Sequence, residues 1–178
     1  QTYSDRMPIT IVRPPAVYGE RDTAILTFFQ SVSKGIVPLI GFDDKRVSLI
    51  HGIDLARGIV EAANHSNTIG QTYFVSSEEF YSWKQIAEIT KDAFGKSFVL
   101  PIRVPHGLVM TLAGLSEIFG RFSTKPPVLN FEKGKDLIQP YWICSVEKAK
   151  KDFGWKQGIS IEEGIERTVR WYIDNKWV

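Results

Sequence analysis

The sequence has a single cysteine, Cys144, in 178 residues, so no internal disulfide can form and no cysteine cluster can hold a metal. Histidine is nearly as scarce. His51, His65 and His106 stand far apart and no two have the spacing of a zinc pair, so no metal site is expected. The fourteen glycines include no glycine-rich turn of the kind that brings backbone close to a pyrophosphate. Gly35 with Gly41, and Gly154 with Gly158, are wrongly spaced, and Gly134-Lys135 runs into Asp136 rather than completing a Walker loop. With no serine nucleophile elbow either, hydrolase and NTPase readings have no anchor.

Long hydrophobic runs are missing too. The most apolar stretch, Val104 to Gly120, is interrupted by His106 and Glu117 and is too short for a bilayer core of about 30 Å. A buried amphipathic helix is expected there, and no membrane partner. Gln1 to Arg6 is polar, unlike a signal peptide, and lacks an initiating Met. A chain beginning mid-protein, in a reducing compartment such as the cytoplasm, is the expectation. Neither charge sign dominates: 22 Lys and Arg face 20 Asp and Glu, interspersed, for a net +2. That excludes a nucleic-acid footprint.

What is present suits one globular unit, because 43% hydrophobic and 24% charged residues supply a core without staples. Ile9 to Arg13 reads as a buried parallel strand stopped by Pro14-Pro15. Ala24 to Lys34 has helical spacing with Gly35 as its stop, and Val37 to Ile40 and Val47 to Ile50 are short strands around a turn at Gly41 to Lys45. Asp54 is placed to cap a helix running to about Asn64, with Leu55, Ile59, Val60 and Ala63 inward. Thr72 to Val75 is a further strand. Ser82 with Gln85 is a capping box opening a helix to Gly95.

Phe98 to Ile102 reads as another strand, followed by the apolar helix from about Pro105 to Phe122, which Pro126-Pro127 breaks. Val128 to Trp142 has no clear periodicity. Ser145 caps a short helix ending near Gly154, and Ser160 with Glu163 opens a last helix with Ile161, Ile165, Val169 and Tyr172 or Trp171 inward. Tyr172 and Lys176 have the spacing of a reductase Tyr-Lys pair, but a core tyrosine and a solvated lysine explain them better. His51, following a strand, reads as a hydrogen-bonded structural histidine. No catalytic residue is assigned.

Three motifs, the last of them in two pieces, carry more than secondary structure. Ile11-Val-Arg-Pro-Pro-Ala-Val-Tyr-Gly-Glu-Arg-Asp22 resembles the Arg-Pro-x-x-Val-Tyr-Gly-x-Arg signature of extended short-chain dehydrogenases/reductases, the NAD-dependent epimerase/dehydratase kind. Ser48-Leu-Ile-His-Gly-Ile-Asp-Leu-Ala56 resembles that family's Ile-His-Val-x-Asp-Leu-Ala stretch. Ser145 to Trp155 and Ile161-Glu-Glu-Gly164 resemble its closing elements. Their order and spacing cover nearly the whole chain.

The resemblance implies an α/β fold: the C-terminal part of a Rossmann-like parallel sheet plus a smaller, mainly helical substrate-binding lobe, interleaved over residues 1–178. In that family the glycine-rich loop and the catalytic Ser/Thr, Tyr and Lys precede the Arg-Pro strand. The cofactor half is therefore expected to be absent, and the fragment inactive. NAD or NADP is the implied cofactor, with the backbone of Pro14, Pro15, Ala16 and Val17 against the nicotinamide. Tyr18 and Arg21 are implied as the start of the substrate wall, Arg21 as a grip for phosphate or carboxylate.

Sugar-nucleotide epimerases typically have Asn where Ala16 stands and Arg where Val47 stands. The neighbouring Arg46 is the substrate-side cation of that stretch, though strand alternation turns it to the opposite face from Val47. With Leu108, Val109, Leu112 and Leu115 following, the pattern is similar to the 3β-hydroxysteroid dehydrogenase and dihydroflavonol reductase branch. The implied small-molecule substrate is a nucleotide sugar or a less polar alcohol or ketone. A homodimer through the exposed edge at Ile9 to Arg13 is a further expectation. Two other classes stand beside the enzyme: a non-catalytic NAD(P)-binding regulator, and a ligand-binding module without nucleotide.

Overall fold

A computed structural model describes residues 7–120 and 130–178. Its first strand, β1 (Ile11–Arg13), pairs in parallel with β6 (Thr72–Phe74), and β2 (Ala16–Tyr18) pairs in parallel with β5 (Leu49–His51). Pro14-Pro15 separates β1 from β2, as two residues without N–H donors must interrupt a ladder. The run Val47 to Ile50 is likewise not one strand. It divides at Ser48 into β4 (Arg46–Val47) and β5, which join different sheets. All three residues of β5 are buried, as befits an interior parallel strand. β1 is not: Ile11 is 43% exposed. Its only strand partner among the described residues is β6.

Two further sheets complete the α/β arrangement. β3 (Ile36–Ile40) pairs in parallel with β8 (Leu100–Val104). The two-residue β4 lies between β7 (Tyr81–Ser82, antiparallel) and β9 (Tyr141–Trp142, parallel). Among the described residues, seven α-helices pack around these strands. α1 (Leu26–Ser33) buries Phe29 and Val32 and stops at Gly35, whose φ of +85° a residue with a Cβ adopts only at a cost. The Ser82–Gln85 capping box forms at the start of α3 (Trp83–Ala93).

α2 (Gly52–Asn64) departs from expectation twice. His51, not Asp54, caps it, its Nδ1 accepting the Ile53 N–H at 3.3 Å. The buried side is Asp54, Gly58 and Ala62, while Ile59 and Val60 are 47% and 59% exposed. A small residue explains the rotation. Trp155 packs against Gly58, where an added Cβ would sit 2.8 Å from its ring and 2.6 Å from Val75, so the helix turns its least bulky face inward. Trp155 is 2% exposed and its Nε1 donates to the Ser76 carbonyl at 3.0 Å.

α4 (His106–Gly120) is also less buried than expected. Val109 and Ala113 are covered, whereas Leu108, Leu112 and Leu115 are each about half exposed. Its end near Phe122 and the break at Pro126-Pro127 lie outside the described residues. α5 (Phe131–Ile138) and β9 occupy a stretch with no readable period. α5 is short: its apolar residues Phe131, Leu137 and Ile138 share one side with Gly134, but only Gly134 is buried, against Met110 and Ala113 of α4. α6 (Glu147–Phe153) ends on Gly154 in the left-handed region, and Ser145 Oγ accepts from the Glu147 N–H.

α7 (Ile161–Asp174) buries Ile161, Ile165, Val169 and Tyr172 as its pattern predicts. Tyr172 is fully buried, donates its hydroxyl to the Asp22 carbonyl at 2.8 Å and stacks on Trp177, so it is a core residue. Gly164 lets the Tyr18 hydroxyl lie directly against this helix, in the space a Cβ would take. No described helix is long and apolar enough to cross a membrane.

Candidate functional site

The Pro14-Pro15-Ala16 segment at the carboxyl end of β1 forms part of the wall of a cavity of about 1020 Å³. Open α/β sheets place ligands at this rim, and the volume is at the upper end for small-molecule sites. Phe28 of α1 and Trp83 at the start of α3 form an aromatic corner, ring centroids 5.3 Å apart. Pro38 and Ile40 of β3, Phe74 of β6, and Leu137, Tyr141, Trp142 and Ile143 around β9 add apolar surface. The described charged residues of the wall are Lys45, Arg46 and Asp136.

Those cations are committed differently. Lys45 is 7% exposed, and its Nζ donates to Asp43 Oδ2 (3.0 Å) and to the carbonyls of Ile138 (2.6 Å) and Gln139 (3.1 Å). Its three donors are satisfied by protein. Arg46 is half-exposed beside Asp44 at 3.2 Å, and Val47, on the opposite side of the strand, is buried in the core. A diphosphate needs two negative charges neutralised inside a weakly polar space. This wall offers one partly engaged guanidinium.

Of the expected site residues, Pro14, Pro15, Ala16 and Arg46 border the cavity; Val17, Tyr18 and Arg21 do not. Val17 packs into the core behind β5. Tyr18 is 5% exposed in the main core, edge-on to His51, so its place in the substrate wall is corrected to a packing position. Burial, chiefly, raises its pKa far above the phenol range. Arg21 is exposed with φ +67° and lies outside the cavity lining. Leu108, Val109, Leu112 and Leu115 do not line it either.

Phe28, Trp83, Trp142 and Lys45 also line the cavity and carry no signal of it in the sequence. Phe28 follows a helical period that also reads as core, and Trp142 lies where no period exists; only the tertiary fold brings them together.

A second, filled-in cluster joins the segments around Glu20 and His51 to residues 158, 159 and 167 near the carboxyl end. His51 Nε2 lies 3.2 Å from Glu20 Oε2, and Glu20 Oε1 accepts from Arg167 at 3.0 and 3.2 Å. Burial lowers the His51 pKa, outweighing the opposing pull of Glu20. For Glu20 burial acts upward, but its own backbone N–H, Arg167 and His51 together hold the carboxyl below its usual value. Asp54, 2% exposed, accepts the N–H groups of Gly158 (3.0 Å) and Ile159 (2.9 Å) and one from Arg57 (3.0 Å). These contacts are structural ties around the rim, not an open site.

The chain has the Rossmann-like α/β fold of solved epimerase and dehydratase structures. No family model matches the chain. It is similar to y4nL of Sinorhizobium fredii (30% identical, over 95% of this chain and 48% of that protein). It is also similar to ceramide reductase of Caulobacter vibrioides (28%, over 94% and 52%). The UDP-glucuronic acid 4-epimerase of Bacillus cereus, solved with UDP-glucuronic acid and NAD, shares the fold: TM-score 0.69, 18% identity, over 98% of this chain and 48% of that one. The chain spans about half the length of the curated relatives it matches.

Proposed function

We propose that this chain is the carboxyl-terminal, substrate-binding portion of an NAD(P)-dependent oxidoreductase of the epimerase/dehydratase type, its late Rossmann strands and substrate lobe interleaved over residues 1–178. Its cavity takes a predominantly apolar alcohol or ketone. The observation that carries this is the placement of Pro14, Pro15 and Ala16, at the carboxyl end of a parallel strand, as one wall of the large apolar cavity. The name of the relative ceramide reductase, and the NAD held by the Bacillus cereus epimerase of the same fold, point the same way.

The residues present fit a nicotinamide. Two successive prolines leave no N–H at the strand end, a stiff and apolar edge against which a planar ring can lie. Bound there, the nicotinamide would supply hydride exchange with a carbinol or carbonyl carbon. The chain's own part is to hold and desolvate the substrate: Phe28, Trp83 and Trp142 bury its apolar body, and Pro38, Ile40 and Leu137 exclude water. Within this reading the general base lies in a preceding cofactor half. A nucleotide sugar is the weaker substrate, because Lys45 is spent on Asp43 and two carbonyls.

Two titrations test this, both followed through tryptophan emission, since Trp83 and Trp142 line the cavity. A medium-chain methyl ketone should bind and perturb the emission; UDP-glucuronic acid should bind far more weakly. Tighter binding of the nucleotide sugar would overturn the apolar substrate. Absence of ketone-dependent NADPH or NADH oxidation by the full-length protein would overturn the oxidoreductase.

A further inference from the structure

One wall of the cavity is assembled from short, thinly buried elements. α5 has eight residues and buries only Gly134. β9 has two residues, Tyr141 64% and Trp142 53% exposed. An isolated helix of that length is marginal; the start of α5 rests on α4, where Glu117 Oε2 accepts the Phe131 N–H at 3.2 Å and Gly134 meets Met110 and Ala113. Leu137, Gln139 and Trp142 nevertheless line the cavity. That packing holds the start of α5, so polar ties set where its carboxyl end and β9 stand.

Backbone bonds secure the far end: Arg46 N–H to the Pro140 carbonyl (2.9 Å) and Ser48 N–H to the Trp142 carbonyl (2.8 Å). At the α5 end the tie is Lys45. Its ammonium reaches from the β4 side to the carbonyls of Ile138 and Gln139, the last helical residue and its C-cap. Those are carbonyls that a helix terminus leaves without partners, and a cation there also meets the negative end of the helix dipole. Asp43 balances the buried charge at 3.0 Å, and its other oxygen lies 3.2 Å from Nε2 of His106, the first residue of α4. Gly41 leaves the space for this meeting: a Cβ there would collide with both His106 and Asp43.

We infer that Lys45 is a positioning residue, whose ammonium sets the α5–β9 wall and thereby the width of the cavity. The inference rests on the proposal that this cavity receives the substrate. It assigns Lys45 no contact with substrate or cofactor. Its full complement of protein partners is what makes it a tie rather than an anion receptor.

The test uses Nile red, a neutral apolar dye, titrated against the full-length protein and the variants K45M, K45R and D43N, with amide hydrogen exchange resolved by segment. K45M removes the donors with little change of volume, and should weaken dye binding about tenfold or more, the cost of losing buried charge-assisted hydrogen bonds. Exchange should quicken over residues 136–142 and stay unchanged in α7. K45R, which keeps donors for the two carbonyls, should recover most of the affinity. D43N, which leaves those bonds in place, should cost less than K45M.

Unchanged dye binding in K45M, or exchange quickened uniformly through α7, would overturn the inference. So would a D43N loss equal to that of K45M, or failure of both K45M and K45R to fold. Nile red binding needs no nicotinamide, so a failed hydride assay would sink the proposed function and leave this result standing. Normal hydride transfer with an unmoved wall would sink only the positioning role.

Discussion

Replacing Asp54 by Ala should destabilise the protein far more than an ordinary helix substitution. The carboxylate is 2% exposed and accepts two backbone N–H groups from a loop about a hundred positions further on, at Gly158 and Ile159. Alanine leaves both donors without their acceptor. At about 1–3 kcal/mol for each buried unsatisfied group, the loss is about 2–6 kcal/mol. Arg57 adds little, because its guanidinium is 40% exposed and keeps the Lys156 carbonyl at 2.5 Å. For a chain of this size about 4 kcal/mol corresponds to a melting temperature lower by roughly 8–16 °C.

Urea unfolding of wild type, D54A and D54N measures the effect directly. The midpoint of D54A should fall with no change of slope, and D54N, which keeps one acceptor oxygen, should fall between the two. A change below about 1 kcal/mol in D54A, the size of a lost surface contact, would refute the view that this carboxylate holds the carboxyl-terminal segment against α2.

His51 has a folded pKa below its ordinary 6.5, so the unfolded chain binds the proton more readily. The stabilisation is complete above about pH 6.5 and is lost as pH falls through the lower folded value; H51Q should flatten that part of a stability profile, and an unaltered profile would refute the assignment. Gly58→Ala should destabilise by about 1–3 kcal/mol through overpacking against Trp155 and Val75, instead of gaining the roughly 1 kcal/mol that alanine brings to an exposed helix; a gain in thermal unfolding would show that the ring yields.

Much of the chain was legible because local chemistry and tertiary demand agree. β1 stops at prolines, α3 opens on its capping box, and α7 carries its apolar residues at one spacing. Where the two diverge, the sequence misleads. The period of α2 suggested Leu55, Ile59, Val60 and Ala63 as the inner side, but Trp155 needs the glycine. α5 is only eight residues long and centres its contact with α4 on a glycine, so its brief apolar spacing at Phe131, Leu137 and Ile138 is easily missed in the sequence. The prolines of the cavity wall were identifiable from their place after β1, whereas Phe28, Trp83 and Trp142 meet only once three separate elements are folded. Lys45 looked like an ordinary turn residue. Only its partners across 93 and 94 positions reveal its job.

The contact of Gly164 with the Tyr18 hydroxyl makes positions 18 and 164 a matched lock and key across β2 and α7. Growth on one side has to be met by trimming on the other. Gly164→Ala alone should force strand and helix apart, yet the same change combined with Tyr18→Phe, which removes the colliding oxygen, should be tolerated better than the single variant. A drifting sequence would then cross this spot by paired steps, and the seam where the sheet meets its last helix would change more slowly than the exposed leucines of α4.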